Sequence, residues 1–179
     1  DLVEGVTGKA IDFDGNNDYI SFSGNQNHLK MNGNSDLTLS GWVKVSSSMG
    51  GGSNADVPLI MKSNNVNDEK YFLGLEGGDE LGVRLTTTGR HGGQLREDGG
   101  SIDDEEWTYL VMTYDGNRVR GYINGSQVIS ESKSGNIRHH GQDDFQFIKR
   151  NDNRRLEGVV DELRVLSVAR SADWICTEH

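Results

Sequence analysis

Residues 107–128 read WTYLVMTYDGNRVRGYINGSQV, and they predict three strands joined by two tight turns. The runs 107–114, 118–123 and 127–130 are rich in apolar, aromatic and β-branched residues, which favour strands. Asp115-Gly116 and Asn124-Gly125 separate the runs, and such dipeptides favour hairpin turns because their central positions need positive φ. The segment therefore predicts antiparallel β-structure.

The same pattern of short apolar runs and turn residues extends over the rest of the chain. Along 37–45, Leu37, Leu39, Val43 and Val45 share one face, as expected of a strand with one face in the core. Segments 46–54 and 89–100 are predicted to be surface loops, and Ser171 to cap a short helix through Glu178. The further predicted strands are 8–13, 19–22, 57–62, 71–75, 81–85, 145–149 and 156–166. About eleven strands and almost no helix predict an all-β fold, a two-sheet antiparallel β-sandwich or jelly roll.

Length and charge restrict the class of protein further. The 179 residues fit one domain, and we expect 1–179 to be a single domain excised from a larger protein. Asp and Glu number 28 against 18 Lys and Arg, a net charge of -10, which disfavours nucleic acid as a partner. The charge can attract cations such as calcium, or it can serve only solubility. With Cys176 as the one cysteine, no intrachain disulfide can form.

Three motifs carry a resemblance to a known family. They are AIDFDG at 10–15 with Asp18-Tyr19-Ile20, WTYLVMTYDG at 107–116 with GYING at 121–125, and GVVDELRV at 158–165 with Ala169-Arg170-Ser171. In this order they resemble the laminin-G-like branch of the concanavalin A-like sandwiches, and they span nearly the whole chain. The resemblance implies a jelly roll of the concanavalin A-like lectin and glucanase type, related to the pentraxins.

The resemblance also implies a function, since such domains bind glycans or proteins, often with calcium, as parts of extracellular proteins. We expect a non-catalytic, lectin-like module for a glycan or cell-surface polysaccharide, secreted or at the cell surface. The alternative is a structural or adhesive domain that binds protein. No apolar run approaches the ~20 residues that membrane insertion needs.

Loop positions predict where a ligand would bind. If successive strands alternate in direction, loops 63–69, 87–106 and 150–155 and the turn at Asn124-Gly125 lie at one end of the sandwich. Arg90 and His91, with Gln94 and Arg96 in the same loop, and Asn124 would then be placed to contact the ligand. The favoured alternative is that Arg90 and His91 belong to a solvated loop without a ligand. Loops 46–56, 77–80 and 115–117 would lie at the opposite end.

The same end offers oxygen ligands for calcium. Loops 67–68 and 151–153 resemble the calcium-binding loops of pentraxins, which implies a metal site at Asn67, Asp68, Asn151, Asp152 and Asn153. The sequence departs from the pentraxins because Asp68 and Asp152 are the only carboxylates of this set. Arg150, Arg154 and Arg155 flank it and would oppose a cation. The alternative is that these Asn and Asp residues only form turns.

Three other groups allow more than one interpretation. Asp14, Asn16, Asn17 and Asp18 could hold a structural calcium ion, but an Asx-turn is favoured. Trp42 could lie on the face of its sheet away from the core and stack on a sugar, although tryptophan is more often a core residue.

Glu157 and Asp161 lie four residues apart on one predicted strand face, a weak sign of a glycosidase carboxylate pair. We therefore do not expect an enzyme.

Overall fold

The structure is a computed structural model that describes residues 1–22, 31, 33, 36–47, 56–63, 69–89, 92–138, 144–148 and 155–179. The described residues form thirteen strands and one helix, α1, Ala172–Thr177. The strands are β1 Leu2–Glu4, β2 Lys9–Asp14, β3 Ile20–Phe22, β4 Asp36–Val45, β5 Val57–Ser63, β6 Glu69–Glu76, β7 Glu80–Thr87, β8 Gly93–Ser101, β9 Trp107–Asp115, β10 Arg118–Ile123, β11 Ser126–Ser132, β12 Asp144–Phe147 and β13 Glu157–Leu166.

The strands pair into two antiparallel sheets. One sheet has seven strands in the order β1-β2-β13-β4-β9-β10-β11, and the other has six in the order β3-β12-β5-β6-β7-β8. Neighbours such as β9 and β10, or β6 and β7, are antiparallel hairpins, while β13 is placed between β2 and β4 by long connections. The predicted all-β, two-sheet sandwich is confirmed.

The core lies between the two sheets. Leu37, Leu39 and Val43 of β4 are fully buried, and they belong to one cluster with Leu73 and Leu75 of β6. The period-two pattern read along β4 therefore identified the core face correctly. Burial of each such side chain contributes roughly 1.5–3 kcal/mol to folding.

The prediction of a loop at 89–100 was wrong, because residues 93–101 form strand β8 at the edge of the six-stranded sheet. Its sequence, GQLREDGGS, holds one large apolar residue, Leu95, which packs against the core. An edge strand needs little apolar surface, so the alternation that reveals central strands is absent here. Pairing with β7, in which Leu85 is the partner of Leu95, fixes the strand instead.

The extra strand changes which loops share an end of the sandwich. The hairpin turn 124–125 was expected beside loop 63–69. Instead it lies near the end of β8, because Gly100 approaches Ile123 and Val128. The amide of Ile102 donates to the carbonyl of Asp79, which places turn 77–79 at this same end. Because β8 was not counted, the prediction inverted the direction of the strands that follow it. The turn 124–125 was therefore assigned to the wrong end of the sandwich.

The helix α1 covers part of the outer face of the seven-stranded sheet, over β4, β9 and β10. Ser171 is the N-cap, as predicted, and its Oγ accepts a hydrogen bond from the amide of Trp174 at 3.2 Å. Ile175 is fully buried in a small cluster with Tyr109, against which Trp42 packs with ring centroids 5.2 Å apart. Trp42 thus lies on the outer face, as expected, where it supports the helix.

Candidate functional site

The outer face of the six-stranded sheet is polar, yet it is buried. Tyr71, Leu73 and Leu75 of β6 belong to the core, so the alternate residues of this strand project to the other side. Of these, Lys70 and Phe72 are both 0% exposed. Charged groups removed from water must be paired, since an isolated buried charge is very costly.

Arg84 of β7 is the centre of this face and is 1% exposed. Its Nη1 donates to Glu69 Oε1 at 2.8 Å, and its Nε donates to Glu76 Oε1 at 3.1 Å. Its Nη2 pairs with Asp56 Oδ2 at 2.5 Å, and the guanidinium lies 4.5 Å from the centre of the Phe72 ring. Strand register explains the last contact, because Phe72 and Arg84 are directly opposite each other on β6 and β7.

Arg96 of β8 extends the cluster to the surface. It lies directly opposite Arg84, and its side chain is 51% exposed. Its Nη2 donates to Asp56 Oδ1 at 2.9 Å and to Glu76 Oε2 at 2.6 Å. Asp56 and Glu76 each hold Arg84 with one oxygen and Arg96 with the other. We call these two arginines, with Asp56, Glu69 and Glu76, the bridged arginine cluster.

The ionisation of the cluster depends on pH near neutrality. The pKa of Glu76 is raised to about 7, chiefly by burial and next by a hydrogen bond with Asp56, while Arg84 opposes the rise. Burial acts to lower the pKa of Arg84, but hydrogen bonds with Asp56 and Glu76 outweigh it and raise this pKa. Glu76 therefore takes up a proton as the pH falls below about 7, whereas a guanidinium keeps its charge.

Two glycines make room for the cluster. Gly74 and Gly82 are directly opposite each other on β6 and β7. A Cβ at Gly82 would lie 2.5 Å from Cγ of Glu76. A Cβ at Gly74 would lie 2.2 Å from the carbonyl oxygen of Val57 and 2.7 Å from Cζ of Phe72. Since real Cβ atoms are not found so close to other atoms, only glycine lets these side chains lie flat on the sheet.

Arg96 also borders a cleft between the edge strand β8 and the end of β11. We call it the β8–β11 cleft, and it has a volume of about 660 Å³. Its lining consists of Gln94, Leu95, Arg96, Glu97, Asn117, Ser132, Lys133 and Ser134. Burial lowers the pKa of the Lys133 amine. A small apolar floor with amide, hydroxyl and charged groups around it is the composition of a site for a polar ligand.

Most of the predicted site residues lie outside the described part of the chain: the calcium ligands Asn67, Asp68, Asn151, Asp152 and Asn153, and the ligand contacts Arg90 and His91. The metal site and these contacts therefore stay predictions. The described residues that flank the two calcium loops contact different positions of β5. Ser63 pairs with Asp144 at the end of β5, while the amide of Ile148 donates to the carbonyl of Leu59 near its start. In the described residues, no group of three or more His, Cys, Asp or Glu is arranged to hold a metal ion.

The third predicted ligand contact, Asn124, has a structural role. Its φ is 46°, and Gly125 has a φ of 75°, as the predicted hairpin turn requires. Its Oδ1 accepts a hydrogen bond from the amide of Tyr109 at 2.8 Å, and its amide donates to the carbonyl of Tyr109 at 2.9 Å. Asn124 thus ties the β10–β11 turn to β9, and its contact with a ligand stays a prediction.

At Asp14, the favoured Asx-turn is present. The amide of Asn16 donates to Asp14 Oδ1 at 2.9 Å, and this hydrogen bond is the main cause of the lowered pKa of Asp14. The carbonyl of Asn16 in turn accepts a hydrogen bond from Arg155. The turn is therefore held by local hydrogen bonds and by an arginine.

The carboxylates considered for glycosidase chemistry are also bound within the fold. Asp161 is 8% exposed, and its Oδ2 accepts a hydrogen bond from the amide of Thr7 at 3.0 Å. Its Oδ1 accepts one from the amide of Glu162, whose φ of 49° marks a bulge in β13. Both oxygens of Asp161 thus fix backbone, namely the turn before β2 and the bulge in β13.

Sequence reasoning missed the bridged arginine cluster. The available signal was charge at alternate positions of apolar strands: Lys70 and Glu76 in EKYFLGLE and Arg84 in ELGVRLTT. The pattern shows that these side chains share the face opposite the core. It does not show that they meet across strands, because an exposed charged face gives the same pattern.

Comparison with known proteins places the fold in a family. The profile Laminin_G_3, of the concanavalin A-like lectin/glucanases superfamily, matches residues 14–176. The chain therefore belongs to this superfamily. No curated protein matches it in sequence.

Three solved structures illustrate the likeness. Domain 4 of AbnA, a GH43 extracellular arabinanase from Geobacillus stearothermophilus in complex with arabinotriose, is 18% identical with a TM-score of 0.71, over 98% of this chain and 79% of that one. The CBM40 of Ruminococcus gnavus IT-sialidase, bound to α2,3 sialyllactose, is 12% identical with a TM-score of 0.69, over 94% and 95%. A SAP-like pentraxin from Limulus polyphemus is 14% identical with a TM-score of 0.57, over 80% and 69%. At these identities the likeness establishes the shared fold.

Proposed function

We propose that this domain is a non-catalytic module that binds a saccharide in the β8–β11 cleft. The observation that carries the proposal is the cleft itself, whose hydrogen-bonding groups surround the apolar side chain of Leu95. Its volume of about 660 Å³ is within the usual range of ligand sites. Two neighbours of the same fold, the arabinanase domain and the CBM40, were solved with bound oligosaccharides, which supports the class of ligand.

The chemistry of the cleft suits sugar hydroxyls, which donate and accept hydrogen bonds at once. Lys133 and Arg96 supply donors, Glu97 supplies an acceptor, and Asn117 supplies both. The cleft also follows β8, which lies at the edge of its sheet and pairs, among the described residues, with β7 on one side. A saccharide lying along this edge would reach side chains of both sheets.

Calcium assistance is part of the proposal. Asn67, Asp68, Asn151, Asp152 and Asn153 would supply oxygen ligands, and Arg90 and His91 would contact the saccharide from the segment that precedes β8. A protein with such a role would act outside the cell or on its surface, on a glycan or cell-surface polysaccharide. In the described part of the chain, no helix is long and apolar enough to cross a membrane.

A glycan array, run with calcium and with chelator, tests the ligand class. Arabinotriose and α2,3 sialyllactose belong on it as neutral and acidic probes. Binding that the chelator abolishes supports the calcium site, and a matching calcium-dependent rise in melting temperature would show that the folded state holds the ion. Absence of any saccharide binding in either buffer contradicts the proposal.

A variant of the cleft locates the site. Lys133→Ala is expected to weaken saccharide binding by roughly tenfold to a hundredfold, the effect of one lost charged hydrogen bond. Lys9→Ala is the matched control, because Lys9 is an exposed lysine on β2 that pairs with Glu4. Equal affinities of the two variants would place the saccharide elsewhere on the domain.

A further inference from the structure

We propose that Asp56 and Glu76 are positioning residues, which hold the Arg96 guanidinium at the border of the β8–β11 cleft, and that a proton on Glu76 loosens this hold. The part of the inference that concerns a saccharide rests on the proposed function. The part that concerns Arg96 rests on the bridged arginine cluster alone.

The nitrogen atoms of the Arg96 guanidinium have different surroundings. Its Nη2 is taken up by Asp56 and Glu76, at 2.9 Å and 2.6 Å. Among the described residues, its Nε and Nη1 make no hydrogen bond, and Arg96 is one of the residues that line the β8–β11 cleft. One side of the guanidinium is thus fixed to the sheet while the other can donate to a ligand. This arrangement lowers the entropy that a long side chain loses on binding.

Arg84 restricts the movement of the two carboxylates that bind Arg96. The carboxylates that bind Arg96 use their other oxygens to bind Arg84, whose side chain is 1% exposed. Asp56 and Glu76 are themselves nearly buried, at 3% and 5% exposed. A half-exposed surface arginine would ordinarily sample many rotamers, but here it is attached to a buried network.

Protonation of Glu76 weakens that attachment. Hydrogen bonds from a guanidinium to a charged carboxylate are roughly twice as strong as those to a neutral acceptor. The charged groups that face Glu76 come from every neighbouring element: Asp56 before β5, Glu69 on β6, Glu80 and Arg84 on β7, and Arg96 and Asp98 on β8. The carboxylates favour a protonated Glu76, and the two arginines favour its ionised form.

Thermodynamic linkage makes the inference testable without a saccharide. If ionised Glu76 holds Arg96, then Arg96 must stabilise ionised Glu76 by the same free energy. Arg96→Gln should therefore move the titration of the Glu76 carboxyl to higher pH, by about half a unit or more. Arg96 is half exposed, so this variant is expected to fold.

The first experiment is NMR of the ligand-free protein between about pH 5 and pH 9. In the wild type, the Arg96 side-chain Nε–H signal should change with the same midpoint as the Glu76 carboxyl carbon. Glu76→Gln should abolish that step in the Arg96 signal. Glu80→Gln is the control and should keep the step. Glu80 lies directly opposite Glu76 but makes no hydrogen bond to Arg96 among the described residues. An Arg96 signal without a step at the Glu76 midpoint would overturn the inference, as would an unchanged Glu76 midpoint in Arg96→Gln.

The second experiment measures affinity for arabinotriose at about pH 6 and pH 8. The wild type should bind roughly twofold to tenfold more tightly at the higher pH, because Arg96 is then held firmly. Glu76→Gln should lose this ratio, and Glu80→Gln should keep it. Binding with no pH dependence in the wild type would remove Arg96 from recognition. If no saccharide binds, the proposed function fails, but the NMR experiment still decides whether Glu76 positions Arg96.

Discussion

The outer faces of the two sheets both carry buried side chains, but these side chains are of opposite chemistry. On the seven-stranded sheet, α1 places Ile175 over Tyr109 and Val111, an ordinary apolar contact. On the six-stranded sheet, the bridged arginine cluster occupies the corresponding face, and Arg84 at its centre is as buried as a core leucine. Apolar packing stabilises a fold without special geometry, whereas a buried ion network only balances its own desolvation when every partner is in place. The complete ion network therefore adds little net stability although loss of one partner is costly, and we propose that its role is to position Arg96.

The largest effect is expected from Arg84→Ala. Loss of the guanidinium leaves Asp56, Glu69 and Glu76 as buried carboxylates without their main partner, and the expected destabilisation is about 3–5 kcal/mol. Urea unfolding at several pH values measures it. Stability should partly recover in acid, where the carboxylates take up protons.

Ile175→Ala is the counterpart on the other face. It should cost roughly 2–4 kcal/mol by leaving a cavity under α1, with no added dependence on pH. If both variants lose stability equally at every pH, buried charge and buried apolar surface have the same consequence on the two faces.

The second prediction concerns pH and the Glu76 carboxyl. Its pKa is about 7 in the folded protein against an ordinary value of 4.5, so the folded state binds more protons between these values. Glu76 therefore contributes on the order of 1–3 kcal/mol to the free energy of unfolding. This contribution is fully present below about pH 4.5 and is lost as the pH rises through about 7.

The stability difference between wild type and Glu76→Gln isolates this contribution, since other acids titrate in both proteins. Asp14 and Asp115, for example, have lowered pKa values and act in the opposite direction, with stability lost as pH falls. A difference that stays constant from about pH 4.5 to pH 7.5 would argue against a protonated Glu76. The Glu80→Gln variant supplies the control for loss of one acidic group.

The smallest effect is expected from Ser171→Ala at the N-cap of α1. Loss of the hydrogen bond from the Trp174 amide should cost about 1 kcal/mol and loosen the helix locally. Thermal unfolding followed by tryptophan fluorescence measures it, because Trp42 and Trp174 pack against the cluster that α1 covers. Ser126→Ala on the exposed start of β11 is the control. An unchanged melting temperature would mean that packing of Ile175 alone fixes the helix.

Much of the fold was predictable from local patterns. The strands around residues 107–132 agree with the predicted runs within two residues, since Asn-Gly and Asp-Gly mark the turns. The two turns nonetheless differ. Asn124 has the positive φ that the dipeptide pattern implies, while Asp115 accepts hydrogen bonds from the amides of Asn117 and Arg118. Strand β8 escaped prediction because a strand at a sheet edge needs little apolar surface.

The candidate site was much less predictable. Gln94 and Arg96 were singled out as groups near a ligand, and both line the β8–β11 cleft. Their hydrogen-bond partners in the structure, Glu69, Asp56 and Glu76, were not identified from the sequence. A loop assignment for 89–100 hid the register that places Arg96 directly opposite Arg84.

The amino-acid sequence by itself determined the class of fold, the core face of the strands, the Asx-turn at Asp14 and the cap at Ser171. These features depend on alternation and on hydrogen bonds between residues a few positions apart, so the local order of residues is enough. Only the tertiary structure decided which charges meet. Asp56, Glu76, Arg84 and Arg96 come from four separate segments, and their contacts require both the antiparallel register of β6, β7 and β8 and the absence of a side chain at Gly82. Contacts across strands depend on register, and register is a property of the assembled sheet.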